Sequence, residues 1–260
     1  MKSAVIAISC TALAMTAAAD TALAFTGNWN YSWGVTQNST LDVGTANNRT
    51  CFLSGITGDI AVPFSSSPQS VSLTIDPSNE YKLSVQTWGL PLAAYVRCVN
   101  TAAGRTPEVT WSTGRPAQQL ATIDPEHPNR RCFLTAVGAW RPNDANDSGF
   151  KVWTDNVQVM PIGNAWYIGG QQSGPAWGTA RCIDVNQDLG NWKWGCGGTC
   201  TAQFPLAQDP GGATCLLTGI GGEFDTVGWT DGAYITYDPG ILQFFMNTEN
   251  GKTGWANCVR

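Results

Sequence analysis

The chain has 260 residues, a net charge of −5 and only 13% charged residues, against the ~25% usual for soluble domains. That balance excludes a nucleic-acid binder, which needs a clustered basic face, and gives no attraction to anionic membranes. With 43% hydrophobic residues and 12 tryptophans it also excludes a disordered chain.

The N-terminus reads as a secretory signal peptide. Met1-Lys2 is followed by a small-residue apolar run and then by Ala22-Leu23-Ala24, the charge, h-region and A-x-A site of such a leader. Cleavage is expected after Ala24, leaving a secreted, extracellular, periplasmic or cell-surface protein without membrane insertion. Nine cysteines occur, and Cys10 lies in the leader. The even remainder, in an exported chain, implies a disulfide framework.

The mature chain is organised by a motif that occurs three times: Cys51-Phe52-Leu53-Ser54, Cys132-Phe133-Leu134-Thr135 and Cys215-Leu216-Leu217-Thr218. Each copy has a downstream partner, Cys98-Val99, Cys182-Ile183 and Cys258-Val259. A proline falls between two strand-like runs in each copy, at Pro77, Pro161 and Pro239. Landmarks in register at a period of about 80 residues are the signature of internal repeats. They predict the pairings Cys51–Cys98, Cys132–Cys182 and Cys215–Cys258. Cys196 and Cys200 remain and would close a local loop through Gly197 and Gly198.

Alternating Val, Ile, Tyr and Trp in the flanks argues for strands, and Pro with Asp, Asn or Gly supplies turns. The expected class is all-β. It consists of three tandem disulfide-closed β-meander repeats of about 75–80 residues, over 28–99, 108–183 and 191–259. Two arrangements fit. One is a pseudo-threefold packing, β-prism or propeller-like. The other is three small β-sandwich or barrel units in a row.

Chemistry is sparse in the pattern. The only histidine, His127, is flanked by Pro125 and Pro128 and reads as a solvent-facing turn residue, not the proton carrier of a triad. The thiols are assignable to disulfides, which leaves none for zinc. Paired carboxylates could support glycoside hydrolysis, with Glu80, Glu108, Glu126, Glu223, Asp225 and Glu249 available, but no spacing selects a pair. The expectation is therefore a non-enzymatic protein without a resident cofactor, with calcium as one candidate. Asp144, Asn146, Ser148 and Asp155 place oxygens at calcium-loop spacing around Gly149. The loop lacks flanking helices and ends in Asp.

Tryptophan is the remaining signal. Trp88 and Trp166 lie on strand patterns, and Trp33, Trp111 and Trp194 recur at matched repeat positions, so these read as core. Trp29, Trp177 and Trp192 lie among Gly, Asn and Ser and are the candidate ligand-binding residues. Aromatic faces pack on pyranose C–H groups while nearby amides and hydroxyls bind sugar hydroxyls. The expected function is a multivalent, carbohydrate-directed, lectin-like surface, with an extracellular glycan or cell-surface component as partner. A structural or adhesive matrix protein is the alternative, and a carboxylate-dependent glycoside hydrolase the second alternative.

Overall fold

In the computed structural model, the described residues are 25–29, 39–61, 68–87, 90–140, 149–195, 201–208, 212–224 and 232–260. They form eighteen strands and, among these residues, no helix. The first six are β1 (Phe25–Trp29), β2 (Ser39–Thr45), β3 (Thr50–Gly58), β4 (Gln69–Ile75), β5 (Glu80–Gln86) and β6 (Leu92–Val99). The next six are β7 (Val109–Ser112), β8 (Gln118–Thr122), β9 (Arg130–Ala139), β10 (Asn156–Ile162), β11 (Ala165–Gln171) and β12 (Ala176–Asp184). The last six are β13 (Asp188–Gly195), β14 (Thr201–Gln208), β15 (Thr214–Gly222), β16 (Gly232–Asp238), β17 (Gln243–Glu249) and β18 (Lys252–Val259). No helix among the described residues is long and apolar enough to cross a membrane.

The strands make three antiparallel six-stranded sheets. Sheet I runs β1-β6-β3-β16-β17-β14, sheet II β2-β5-β4-β9-β12-β7, and sheet III β13-β18-β15-β10-β11-β8. The all-β expectation holds, but the meander does not form. β3 and β6, which carry Cys51 and Cys98, are neighbours in sheet I, whereas the hairpin between them, β4–β5, lies in sheet II. The other two cysteine pairs behave alike: β9 and β12 are neighbours in sheet II, and β15 and β18 in sheet III, with their hairpins in sheets III and I. The physical reason is the long connection after each first-cysteine strand, which lets the hairpin cross to another sheet. Every sheet thus draws strands from two of the sequence segments, so the segments are not separate bodies in a row.

The three disulfides Cys51–Cys98, Cys132–Cys182 and Cys215–Cys258 are present, each between directly opposed residues of adjacent strands. Such bonds are compatible with an oxidising extracellular compartment. Cys196 and Cys200 lie outside the described residues, as do residues 1–24.

β3 and β15 are buried along their whole length, and β9 almost so. Apart from glycine, β3 and β15 accordingly carry only apolar residues, Ser and Thr, as suits strands covered on both faces. The three strands touch one another. Phe52, Phe133 and Leu216 meet with Ile183, Val185 and Val259 in a small, closed cluster. Leu53, Leu134 and Leu217, one residue on, face the main core instead.

The fourth motif residue has a distinct task. Leu53 pairs with Val96 and Gly55 with Tyr95, leaving Ser54 as a β-bulge. Thr135 and Thr218 are skipped in the same way. A bulge shifts the side-chain alternation by one residue. Leu53 and Ile56 therefore both reach the main core, as do Leu134 with Val137 and Leu217 with Ile220.

The proline hairpins differ in detail. At Pro77 the turn is closed by Asn79 N–H donating to Asp76 O at 2.9 Å, with Asn79 at φ 61°. Pro161 is inside β10, opposite Trp166, and its turn falls at Gly163, where φ is 61°.

Candidate functional site

The residue after each bulge is small: Gly55, Ala136 and Gly219. Each sits where strands from different segments meet. Gly55 pairs with Tyr234 of β16, Ala136 with Ser72 of β4, and Gly219 with Gln158 of β10. Backbone approach is close there. A Cβ on Gly55 would fall 2.7 Å from Tyr234 Cα, and one on Gly219 would fall 2.8 Å from Gln158 Cβ.

These small residues lie on the faces of the sheets turned away from the core. In sheet II, Val71, Leu73, Leu83 and Val85 fill the core, so alternation turns Ser70, Ser72, Ser84 and Gln86 outward. Ile235 and Met246 do the same for sheet I, and Val157 and Val159 for sheet III.

On sheet I one row crosses all six strands: Asn28, Tyr95, Gly55, Tyr234, Asn247 and Gln203. Tyr95 and Tyr234 stack across the gap left by Gly55, with centroids 5.4 Å apart and planes inclined by 15°. Asn247 Nδ2 donates to Thr236 Oγ1 at 2.9 Å and to Tyr234 O at 3.4 Å. Burial pushes the Tyr234 phenol above its ordinary pKa, and Glu249 and Tyr95 add to the shift. The phenol therefore remains a hydroxyl, able to donate, throughout the physiological range.

Sheet II carries a row of hydroxyls, Thr40, Ser84, Ser72, Thr179 and Thr110, interrupted only by Ala136. Thr110 and Thr179 are hydrogen-bonded at 2.9 Å, and Thr40 and Ser84 at 3.2 Å. The next row contains Gln86, Ser70, Gly138, Trp177 and Ser112. Trp177, half-buried, lies over Gly138, where an added Cβ would fall 2.7 Å from its Cε2.

Sheet III has Lys193, Trp255, Gly219, Gln158 and Gly169 in a row. Trp255 reaches over Gly221, whose added Cβ would meet Cζ3 at 3.1 Å. Each sheet thus presents an aromatic ring against a glycine, flanked by amides or hydroxyls. The glycines, buried beneath these side chains, let the rings lie close against the strands.

The residues expected from sequence distribute as follows. Trp177 is on this outer surface. Trp192 is half-buried against the main core, and Trp194 stacks on Phe204 at 4.8 Å. Trp111 and Trp166 are buried, with Nε1 donating to Arg115 O and Arg130 O, both at 2.9 Å. Trp33 and Trp88 lie outside the described residues, and the side chain of Trp29 is not described. Tyr95, Tyr234 and Trp255 escaped the sequence reading because their setting depends on the glycine across the strand. The C-x-x-x-[GA] spacing after each first cysteine is the signal that marks it.

Among the described residues no three His, Cys, Asp or Glu side chains cluster to hold a metal ion. Asp144, Asn146 and Ser148 lie outside the described residues. Asp155 is buried, and its carboxylate accepts from Ser173 N–H and O–H, both at 2.6 Å, from Lys151 N–H at 2.8 Å and from Val152 N–H at 3.3 Å. Those donors tie the residue 151–155 loop to Ser173.

His127 differs from the expectation of a free turn residue. Asp124 holds the turn by accepting from the backbone of Glu126 and His127. That turn carries His127 Nδ1 to 2.7 Å from Asp184 Oδ2, and Arg130 Nε donates to Asp184 Oδ1 at 3.2 Å. Glu108 pairs with Arg181, and Glu80 with Asp42 and Asp76 surrounds Lys82.

No protein-family model, curated protein or solved structure matches the chain at a significant level. The functional reading rests on the chemistry of these surfaces.

Proposed function

We propose that the chain is an exported, non-enzymatic glycan-binding protein, built from three tandem units about a pseudo-threefold axis, with a binding face on each sheet. The strand order supports the symmetry. Counting six strands to a unit, each sheet joins the first, sixth and third strands of one unit to the fourth, fifth and second of another. Sheet I joins the first unit to the last, which closes the ring. The equivalent bulges and the central Phe52, Phe133 and Leu216 support the same reading.

The observation that carries the function is the matched outer-face platform: Tyr95 with Tyr234 about Gly55, Trp177 over Gly138, and Trp255 beside Gly219 and Gly221. Ring faces offer packing for sugar C–H groups, and Asn, Gln, Ser and Thr at hydrogen-bonding spacing offer partners for hydroxyls. Six strands at about 4.8 Å span roughly 24 Å, which suits an oligosaccharide better than a single sugar. Several weak faces on one body gain from effective concentration on a polymeric ligand.

Affinity electrophoresis through gels containing soluble neutral polysaccharides tests this reading. Retardation on at least one polysaccharide, reduced by Y234A or W177A in a folded protein, is the expected result. Equal mobility in every gel would dismiss it and leave the structural or adhesive reading, which the interlocked sheets and their disulfides also suit.

A further inference from the structure

The three platforms differ in charge, and the difference points to a ligand class. This inference rests on the glycan-binding reading. On sheet III, Lys193 is directly across the strand from Trp255, and its Nζ is 5.0 Å from the ring centroid. Lys193 is exposed, while Trp255 is half-buried. Among the described residues no carboxylate lies within ion-pair distance of Lys193, whereas Lys82, Arg130, Arg131 and Arg181 all have carboxylate partners. Asn156 and Gln158, on the far side of Gly221 and Gly219, complete the surface with amides.

We propose that this face is a subsite for an acidic sugar, a pyranose bearing a carboxylate, within an otherwise neutral glycan. The sugar ring packs beside Trp255. Its carboxylate takes the Lys193 ammonium, which moves off the indole at a cost of about 0.5–1 kcal/mol, the usual size of an exposed cation–π contact. Gln158 binds the hydroxyls. The net charge of −5 disfavours a densely charged polyanion, which would need several cations together. One isolated acidic residue matches the single ammonium. Sheet I carries no such cation in its row and instead has Glu249 close enough to act on Tyr234, so it suits neutral sugars.

The test compares a neutral oligosaccharide bearing one glucuronic acid branch with the same compound after carboxyl reduction to glucose, both titrated by calorimetry. The wild type is expected to bind the acid about two- to fivefold more tightly, the most that one exposed ion pair supplies, with the preference fading as salt rises. K193Q should bind both forms alike, and K193R should restore the preference. Equal binding of acid and reduced forms by the wild type, or an undiminished preference in K193Q, would overturn the assignment. If neutral oligosaccharides bind in a manner sensitive to Y234A but the acid gains nothing, this subsite falls and the platform reading stands. If no oligosaccharide binds at all, both fall.

Discussion

Phe52 and Phe133, the second residues of the first two cysteine motifs, pack with ring centroids 4.9 Å apart and planes tilted by 55°. Both are fully buried, in a cluster separate from the main core. Segments remote in sequence are thereby joined through the strands that also carry the disulfides. Truncating either ring should open a cavity where three strands meet. F133A is expected to lose about 3–5 kcal/mol, read as a lowered urea midpoint. A loss below about 1 kcal/mol would mean that the cluster does not hold the strands together.

Gly55 and Gly114 predict opposite reasons for a glycine. At Gly55 an added Cβ meets the backbone of Tyr234, so β3 and β16 must separate. G55A should cost at the upper end of the about 1–3 kcal/mol typical of overpacking and should disturb the near-ultraviolet signal of Tyr95 and Tyr234. Gly114 has open space and a φ of 83°. G114A should cost only about 1–2 kcal/mol, the left-handed backbone term alone. Equal costs in thermal unfolding would contradict the seam.

Asp155 is a buried anchor for its loop. Replacing it with alanine leaves two N–H groups of that loop and the Ser173 N–H and O–H without their acceptor. D155A is expected to lose about 1.5–3 kcal/mol, the usual worth of hydrogen bonds to a charged group. Hydrogen exchange should rise first at Lys151, Val152 and Ser173. Unchanged exchange at those amides would refute the anchor.

Asp188 links sequence segments. Burial opposes its charge, but hydrogen bonds from Arg131, Asn257 and the Gly190 N–H, with the Arg131 charge, outweigh it and hold the carboxyl below the usual aspartate range. A lowered folded pKa contributes stability that is present above the unfolded value, about 3.9, and is lost as pH falls through the folded value. D188N should therefore be less stable than wild type at pH 7, and the gap should close on acidification below about pH 4. Denaturant midpoints at the two pH values check this, and a gap independent of pH would count against the pairing.

Local chemistry was the legible part of this protein. Cys51 and Cys98 could be paired because the repeat supplied three parallel instances, and the Pro77 hairpin because Asp, Pro and Asn have fixed turn preferences. The exchange of hairpins between sheets was not legible. It depends on which strand β4 meets after a long connection, and periodicity carries no information about partners. The bulge at Ser54 was written in the sequence as an apolar spacing of three, Leu53 to Ile56, where a regular strand would give two or four. Of the platforms, only Trp177 stood out, because a tryptophan among glycines is visible in isolation. Tyr95 and Tyr234 acquire meaning only through Gly55, which lies between them in the sheet and far from both in the chain. Trp192, with similar neighbours to Trp177, faces the core instead, since one residue of register decides the face of a strand.

The central claim is that the aromatic platforms on the sheet faces bind glycans. Its most direct test is affinity electrophoresis of the wild type beside the triple variant Y234A/W177A/W255A across one panel of soluble polysaccharides, with circular dichroism confirming that both are folded. The account predicts retardation of the wild type on at least one polysaccharide and its loss in the folded triple variant. Retardation that survives removal of all three side chains, or its absence from every gel for the wild type, would contradict it.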